Sequence, residues 1–378
     1  MLTLRPERLH TWIEVDLQAI ERNVRTIRDR VPDGCRFMAV VKADGYGHGA
    51  VQTALAALRA GADGLAVTNL EEAVRLRKHG IAAPVLALTP PLPELVDVAV
   101  RYDIAVPVFQ KSWLELMRPY KTLREPLRVH VKMDTGMGRL GIRDKREYEE
   151  MVPLLWADDI LVEGIYTHYA SANRTDPTPH LMQWDRFGEM RQWVRESGFH
   201  GVLEHGSNSA AALHYPEHSL DMVRVGAALY GIDTRDPEVR DRDPVDLQPA
   251  LAFHTSILHV KRLERGQTLG YDQSYTAPRD EWIATIPLGY ADGVSRDFRG
   301  FCLAVDGERV PIVGNVCMDQ LMLRLPRYFP PGTPVTFIGG PPKERITLDE
   351  ASAYIGTIPQ HVLTMLASRT KRVYRRGK

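Results

Sequence analysis

The stretch Phe37-Met38-Ala39-Val40-Val41-Lys42-Ala43-Asp44-Gly45-Tyr46-Gly47-His48-Gly49 places one amine at the end of an apolar run and follows it with three glycines. The run reads as a buried strand, and the glycines as backbone that approaches a ligand closely. A lysine at the mouth of a strand is poised to form a Schiff base with a carbonyl cofactor. Taken alone, Lys42 also fits a surface lysine whose ammonium stays in water. Asn208-Ser209-Ala210-Ala211-Ala212 opens a helix of small residues after a strand, and Gly226-Ala227-Ala228 follows another. Helix N-termini and glycine amides bind phosphate, although Ser209 by itself equally serves as a plain helix cap. Arg224 sits within the apolar run Met222-Val223-Arg224-Val225-Gly226, where a lone charge is costly unless it faces a site or a partner. A functional role and an ion pair inside the fold both satisfy that condition. His168 ends the run Tyr166-Thr167-His168, where a histidine satisfied within the core is the usual outcome.

Apolar periodicity supplies the elements that must hold these groups. Short apolar runs at 37–41, 64–67, 84–88, 104–108, 127–133, 161–168, 202–205 and 222–226 alternate with amphipathic stretches. Asp16 can cap a helix with Leu17, Ile20, Val24, Ile27 and Val31 on one face; Asn69 and Gly80 bracket another. About eight strand–helix units predict a TIM-like (β/α)8 barrel over 11–240, with an open doubly wound sheet as the competitor. The segment from Asp233 to Pro244 is dense in charge, carries Pro237, and reads as a linker. Beyond it, β-branched runs and turns such as Asp306-Gly307 predict a mainly β domain over 246–378, with residues 1–10 packing against it.

Composition excludes several function classes. The 378 residues carry 48 basic and 48 acidic side chains, which leaves no net field to gather nucleic acid or an acidic membrane surface. Cys35, Cys302 and Cys317 are too few and too irregularly spaced for a disulfide framework or a structural zinc site. No metal site is expected. The first residues lack the apolar core of a signal peptide, and no apolar run is long enough to span a bilayer, so the expectation is a cytoplasmic protein.

Residues 40–49 resemble the cofactor-binding segment of alanine racemases, enzymes that use pyridoxal 5'-phosphate, and Lys132-Met133-Asp134-Thr135-Gly136-Met137-Gly138-Arg139-Leu140-Gly141 resembles a long family signature. The resemblance runs from about residue 11 to residue 372. It implies Lys42 as the imine lysine and one base. Tyr46, Ser209, Gly226 and Ala227 would hold the phosphate, Arg224 would bond the pyridine nitrogen, and His168 would stack on the cofactor. His205 and Asn208 would support these groups. Arg139 would bond the cofactor's phenolic oxygen and lie near the substrate carboxylate, and Lys132 matches a lysine that many members carbamylate. Thr268-Leu269-Gly270-Tyr271-Asp272-Gln273-Ser274-Tyr275 resembles the segment of the catalytic tyrosine, which makes Tyr271 the base for the opposite face, delivered to the other subunit of a homodimer. Gly289-Tyr290-Ala291-Asp292-Gly293 and Cys317-Met318-Asp319-Gln320 match two further family runs. They imply a substrate contact from the Met318 amide, with Tyr290 and Asp319 lining the access path.

Three positions depart from the common pattern. Ser368 stands where a tyrosine is frequent, which would enlarge the pocket toward serine. Asn173 replaces an acidic residue and Asn315 a basic one. The activity implied is interconversion of L- and D-alanine by two bases, supplying D-alanine for peptidoglycan. A racemase preferring serine or of broad small-amino-acid specificity, a decarboxylase on the same barrel, and a non-catalytic carrier of the cofactor are the alternatives. The Tyr271 and Met318 segments favour a racemase over a decarboxylase, and the β domain speaks against a carrier.

Overall fold

The computed structural model describes residues 9–341 and 344–376. Two compact units emerge. One comprises Ala19–Gly45 and Ala50–Gln248; the other comprises the described residues up to Gln18, Tyr46–Gly49, and the described residues from Pro249 onward.

Strand β1 (Thr11–Asp16) precedes the eight strands of the first unit. These are β2 (Arg36–Val40), β3 (Gly64–Val67), β4 (Val85–Ala87), β5 (Ile104–Val108), β6 (Leu127–Lys132), β7 (Ile160–Tyr166), β8 (Leu203–His205) and β9 (Met222–Val225). They pair in parallel in sequence order from β2 to β8, and β9 returns to pair with β2. The remaining seam, β8 to β9, is joined by Asp221 N–H donating to the Glu204 carbonyl (3.0 Å) and Arg224 N–H to the Ser207 carbonyl (2.9 Å). The result is a nearly closed parallel barrel rather than an open sheet. Helices cover it for the reasons visible in sequence. Leu17, Ile20, Val24 and Ile27 are buried along one face of Leu17–Arg28, and the Asp16 carboxylate accepts from Gln18 N–H at 2.8 Å. The Asn69 side chain accepts from Glu72 N–H at the start of Leu70–Lys78.

The second unit is built on a nine-stranded, mostly antiparallel sheet. Its strands are β10 (Leu251–Ser256), β11 (His259–Leu263), β14 (Glu281–Ile286), β15 (Cys302–Val305), β16 (Glu308–Val313), β17 (Leu321–Leu325), β18 (Pro334–Ile338) and β19 (Lys371–Arg375), with β1 between β10 and β19. A separate two-stranded ribbon pairs β12 (Thr268–Leu269) with β13 (Tyr275–Thr276). Asp306 and Gly307 turn β15 into β16 with φ of 47° and 85°, the two positive values a type I' hairpin requires.

Two sequence expectations change here. Residues 11–16 belong to this sheet, not to the barrel. The physical mark is burial: Ile13 and Val15 are buried while Thr11, Trp12 and Glu14 are not, the alternation of an antiparallel strand, whereas β3 is buried at every position as parallel barrel strands are. The charged segment 233–244 is not a loose linker. Arg235 is buried, its guanidinium bonded to Asp233 and Asp243, and Pro237–Arg242 forms a short helix. Opposite charges neutralise one another there, so the segment folds instead of extending. The expected packing of residues 1–10 falls mostly on residues 1–8, outside the described residues; of the others, His10 Nδ1 lies 3.3 Å from Ser256 Oγ. Among the described residues no helix is long and apolar enough to cross a membrane, and no group of side chains could hold a metal ion.

Candidate active site

β2 delivers Lys42 to the carboxyl end of the barrel, where barrel sites assemble. The chain then enters an unusual turn. Ala43, Asp44, Gly45 and Tyr46 all adopt left-handed backbone conformations, with φ of 52°, 51°, 64° and 51°. Each non-glycine residue there costs roughly 1–2 kcal/mol. The surrounding structure holds the turn in place. Glu72 accepts from Ala43 N–H (2.7 Å) with one carboxylate oxygen and from Thr68 N–H (2.7 Å) with the other. Asp44 accepts from Ala50 N–H (3.1 Å) and from Arg75 (3.0 Å). Strain of this kind clusters at active sites and ligand clamps, which makes the turn a candidate functional segment. Tyr46, at its end, is half-buried, and burial raises its phenol pKa to about 12.

The Lys42 amine has no hydrogen-bond partner among the described residues. Its pKa is lowered by burial first and by the Arg139 cation second. Lys132, at the end of β6, is lowered to about 8 by burial and by Arg224 and Arg139. Four cations, Lys42, Lys132, Arg139 and Arg224, thus share one end of the barrel. Arg139 is placed by a loop folded around buried Asp134, whose carboxylate accepts from Gly136 N–H (3.0 Å) and Gly138 N–H (2.9 Å). Gly141 is obligatory in that loop: a Cβ there would stand 2.5 Å from Asp134 N, at a φ of 135°.

Arg224 resolves the choice left open by its sequence position. It is buried without a carboxylate, so it is no ion pair within the barrel. Its Nη1 donates to His205 Nδ1 (2.6 Å), and Nη2 to the Thr167 carbonyl (2.7 Å) and the Gly206 carbonyl (3.3 Å). Burial lowers its pKa to about 10, still far above neutrality, so it remains a cation. Nη2 also lies 3.5 Å from His168 Nδ1. Burial, then Arg224 and Arg139, push His168 well below the ordinary histidine value, which keeps that ring neutral.

Beside this group Ser209 Oγ accepts from Gly226 N–H (3.0 Å) and Ala228 N–H (3.3 Å). Neither bond uses the serine's own proton, which is left to donate to a further acceptor. Asn208 is a different case. Its amide oxygen caps Ala211 N–H (3.1 Å) and its amide nitrogen donates to the Tyr169 carbonyl (2.9 Å), so its side chain holds the frame. Ala227 is buried in the turn after Gly226. Asn173 accepts from Asp236 N–H through its carbonyl (2.8 Å).

The other expected residues lie in the second unit. Tyr271 occupies the tip of the β12–β13 ribbon, 72% exposed, and its backbone carbonyl accepts from Asn315 Nδ2 (3.3 Å). Asn315 N–H also donates to Ser274 Oγ (3.1 Å), so Asn315 clamps the ribbon tip. Gly289 lets the Tyr290 turn press against the Met318 loop; a Cβ there would meet the Met318 carbonyl at 2.2 Å. The Met318 side chain is exposed, and its amide N–H has no acceptor among the described residues. Arg369 bonds Asp292 through Nε (2.8 Å) and Asp319 through Nη1 (2.8 Å), next to exposed Ser368.

Sequence reasoning missed three residues of this region: His130, Glu163 and Tyr166. Tyr166 stacks on His205 (5.0 Å between centroids, 5° between planes), with Lys132 and Arg224 over its ring at 5.3 and 5.1 Å. The available signal was a polar residue inside each of two apolar strands.

The donor set suits an anionic carbonyl cofactor: one unpaired lysine amine, three further cations, and a hydroxyl with a free proton, with no metal-binding cluster among the described residues. Comparison with known proteins agrees. The family model "Alanine racemase, N-terminal domain" matches residues 15–234, and "Alanine racemase, C-terminal domain" matches 250–374. The alanine racemase of Geobacillus kaustophilus is 42% identical over 97% of this chain and 95% of its own length. Alanine racemase 1 of Bacillus subtilis is 38% identical over 99% and 95%. The crystal structure of alanine racemase from Bacillus anthracis with bound L-Ala-P superposes with a TM-score of 0.95 at 40% identity, covering 97% of this chain and 95% of that one. That of E. faecalis superposes at 0.90 with 38% identity, covering 97% and 98%. The chain therefore belongs to the alanine racemase family.

Proposed function

We propose that this chain interconverts L- and D-alanine with pyridoxal 5'-phosphate, as a homodimer whose two sites are each shared between subunits. The observation that carries the reading is the unpaired Lys42 amine at the barrel mouth, its pKa lowered by burial and by Arg139. When bound, pyridoxal 5'-phosphate supplies a carbonyl for an amine and a ring that accepts charge from the substrate Cα. The remaining steps belong to the chain. Ser209 would hold the phosphate by a hydrogen bond from its hydroxyl, together with Tyr46 and the amides around Gly226 and Ala227. His168 would lie against the ring. Arg139 and the Met318 amide bind the substrate carboxylate. Lys42 holds or takes the proton on one face of Cα. Tyr271 of the partner subunit serves the other face, assisted by His168 and Arg224, because a free phenol with a pKa of about 10 is a poor base at neutrality.

Arg224 restrains the reaction. A guanidinium donates but does not readily give up its proton, so a ring nitrogen held by Arg224 would stay unprotonated and the ring would draw less charge from Cα. Short-lived charge favours racemisation over transamination. Replacing Arg224 with Glu is expected to raise pyruvate formation from alanine; unchanged pyruvate would remove this role. Lys132, with its lowered pKa, has the neutral amine that combines with carbon dioxide, and the resulting carbamate would pair with Arg139. Production of D-alanine for peptidoglycan in the cytoplasm of a bacterium fits the bacterial relatives.

Two measurements test the reading. Purified protein is incubated with L-alanine and with L-serine, and the enantiomers are resolved. D-alanine as the faster product supports the proposal; no turnover of either with added cofactor ends it. A preference for serine is the second reading, favoured by exposed Ser368 beside Arg369, and D-serine as the faster product would establish it. Mixed dimers of Lys42→Ala and Tyr271→Phe test the shared site. Shared sites restore about a quarter of wild-type activity on random mixing, since half the dimers are mixed and each has one intact site; sites within one subunit restore none.

A further inference from the structure

Two side chains with no part in the steps above lie deeper in the barrel. His130 on β6 and Glu163 on β7 continue a hydrogen-bonded line that starts at Arg224. His205 Nε2 is 2.9 Å from His130 Nδ1, and His130 Nε2 is 3.3 Å from Glu163 Oε2. Beyond Glu163 lies a cavity of about 270 Å³, lined by Arg36, Met38, Arg128 and Leu203 among others at the amino-terminal ends of the strands.

Proton accounting gives the line one direction. Arg224 has only donors, so His205 Nδ1 accepts from it. Both rings are fully buried, and burial first, with the nearby Arg224 cation, lowers their pKa values, so both are neutral. A neutral His205 that accepts on Nδ1 carries its proton on Nε2 and donates it to His130 Nδ1. His130 must then carry its proton on Nε2, facing the Glu163 carboxylate. Glu163 is an acceptor because it is ionised: burial opposes ionisation, but the bonds from His130 and Arg128 prevail and draw its pKa to about 2. Every donor therefore points from the cation toward the carboxylate. The frame makes room for this line, since a Cβ at Gly164 would stand 2.5 Å from His130 Nδ1.

We propose that Glu163 and His130 are positioning residues that hold, from the carboxylate end of the line, the His205 tautomer that Arg224 requires, and through it the aim of the Arg224 guanidinium at the cofactor's ring nitrogen. The proposal rests on the reading of Arg224 given above. Without the carboxylate, either imidazole tautomer is equally served at the Glu163 end. The inverted tautomer would set an N–H of His205 against an N–H of Arg224 at 2.6 Å, so the guanidinium would shift.

The test uses Glu163→Leu and, as control, Arg128→Met, which removes the neighbouring ion pair but leaves the His130 contact. Imidazole nitrogen shifts in 15N-histidine-labelled protein read the tautomers of His130 and His205 without cofactor. Wild type and Arg128→Met are expected to hold the proton on Nε2 of both rings, and Glu163→Leu to show mixed tautomers. Glu163→Leu is also expected to shift the absorbance maximum of bound pyridoxal phosphate and to weaken its binding roughly tenfold, the scale of one lost hydrogen bond to a charged group. If Glu163→Leu fails to fold, Glu163→Gln replaces it, because its amide serves either tautomer. Unchanged tautomers in the Glu163 variant overturn the proposal, as does an Arg128→Met effect of equal size. Changed tautomers with an unmoved cofactor spectrum overturn it too; an unmoved spectrum in Arg224→Lys as well would place the failure in the reading of Arg224.

Discussion

The Lys42 corner and the Tyr271 ribbon differ in how much of their chemistry the single chain completes. Lys42 sits at a barrel strand end, on a strained left-handed turn held by Glu72 and Asp44, among cations that lower its pKa. Tyr271 sits on a two-residue-paired ribbon, 72% exposed, its phenol without a hydrogen-bond partner among the described residues. One group has its surroundings built in; the other is presented outward on a clamped support. The contrast teaches that the two proposed bases are tuned differently: one by burial and charge within its own unit, the other by none of its own chain's groups, which is the arrangement the proposed homodimer requires.

The largest effect should come from Lys42→Ala. Racemisation is expected to fall by about 10⁴-fold or more, with loss of the cofactor's absorbance from the protein after gel filtration. Retained activity would break the comparison outright, since the better-built corner would then be dispensable. Tyr271→Phe is expected to cost about 10²–10⁴-fold in racemisation, the range for a single acid/base group. It should leave exchange of the Cα hydrogen of one enantiomer with solvent deuterium, catalysed from the Lys42 face. Equal loss of exchange for both enantiomers would mean that Tyr271 does not act on one face.

Asn315→Ala sharpens the contrast at smaller scale. It removes the clamp on the Tyr271 carbonyl but no catalytic group. A loss of about 1 kcal/mol in positioning corresponds to a several-fold drop in kcat with an unchanged cofactor spectrum. A spectral change would show that the two regions are not separately tuned. The smallest effect concerns Lys132. Its folded pKa near 8 lies below the ordinary lysine value of 10.5, so the folded chain binds fewer protons between those values, and this group's contribution to stability rises with pH across that window. The neutral fraction available for carbamylation rises through pH 8. With 13C-bicarbonate, a carbamate signal is expected to grow from pH 7 to 9 and to vanish in Lys132→Arg; a flat signal would discount the lowered pKa as the cause.

Much of this was readable in the residues, for physical reasons. Most barrel strands stand out as apolar runs because a parallel sheet covered on both faces buries most positions, as β3, β4, β5 and β9 do at every residue. The helix beginning at Leu17 and its Asp16 cap are local features. The barrel boundary drawn at residue 11 takes in residues 11–16, which pair with the other sheet, because pairing partners 244 residues away, such as Thr255 for Thr11, leave no local trace. The segment around Arg235 reads as a linker in sequence because charge density alone does not reveal that the charges meet in pairs. Lys42, Arg139 and Arg224 stood out by residue type and motif, while His130, Glu163 and Tyr166 did not, since their value depends on register between neighbouring strands.

The residue types and their order were enough to specify the family, the barrel periodicity, a candidate imine lysine and the cationic character of the candidate site. They carry that information because hydrophobic period, turn chemistry and side-chain ionisation are local properties. Folding decided the rest: which sheet takes β1, the left-handed turn at Lys42, the depressed pKa of Lys132, and the line of contacts from Arg224 through His205 and His130 to Glu163. Those depend on distances and burial between groups remote in the chain, and such quantities exist only once the chain has packed.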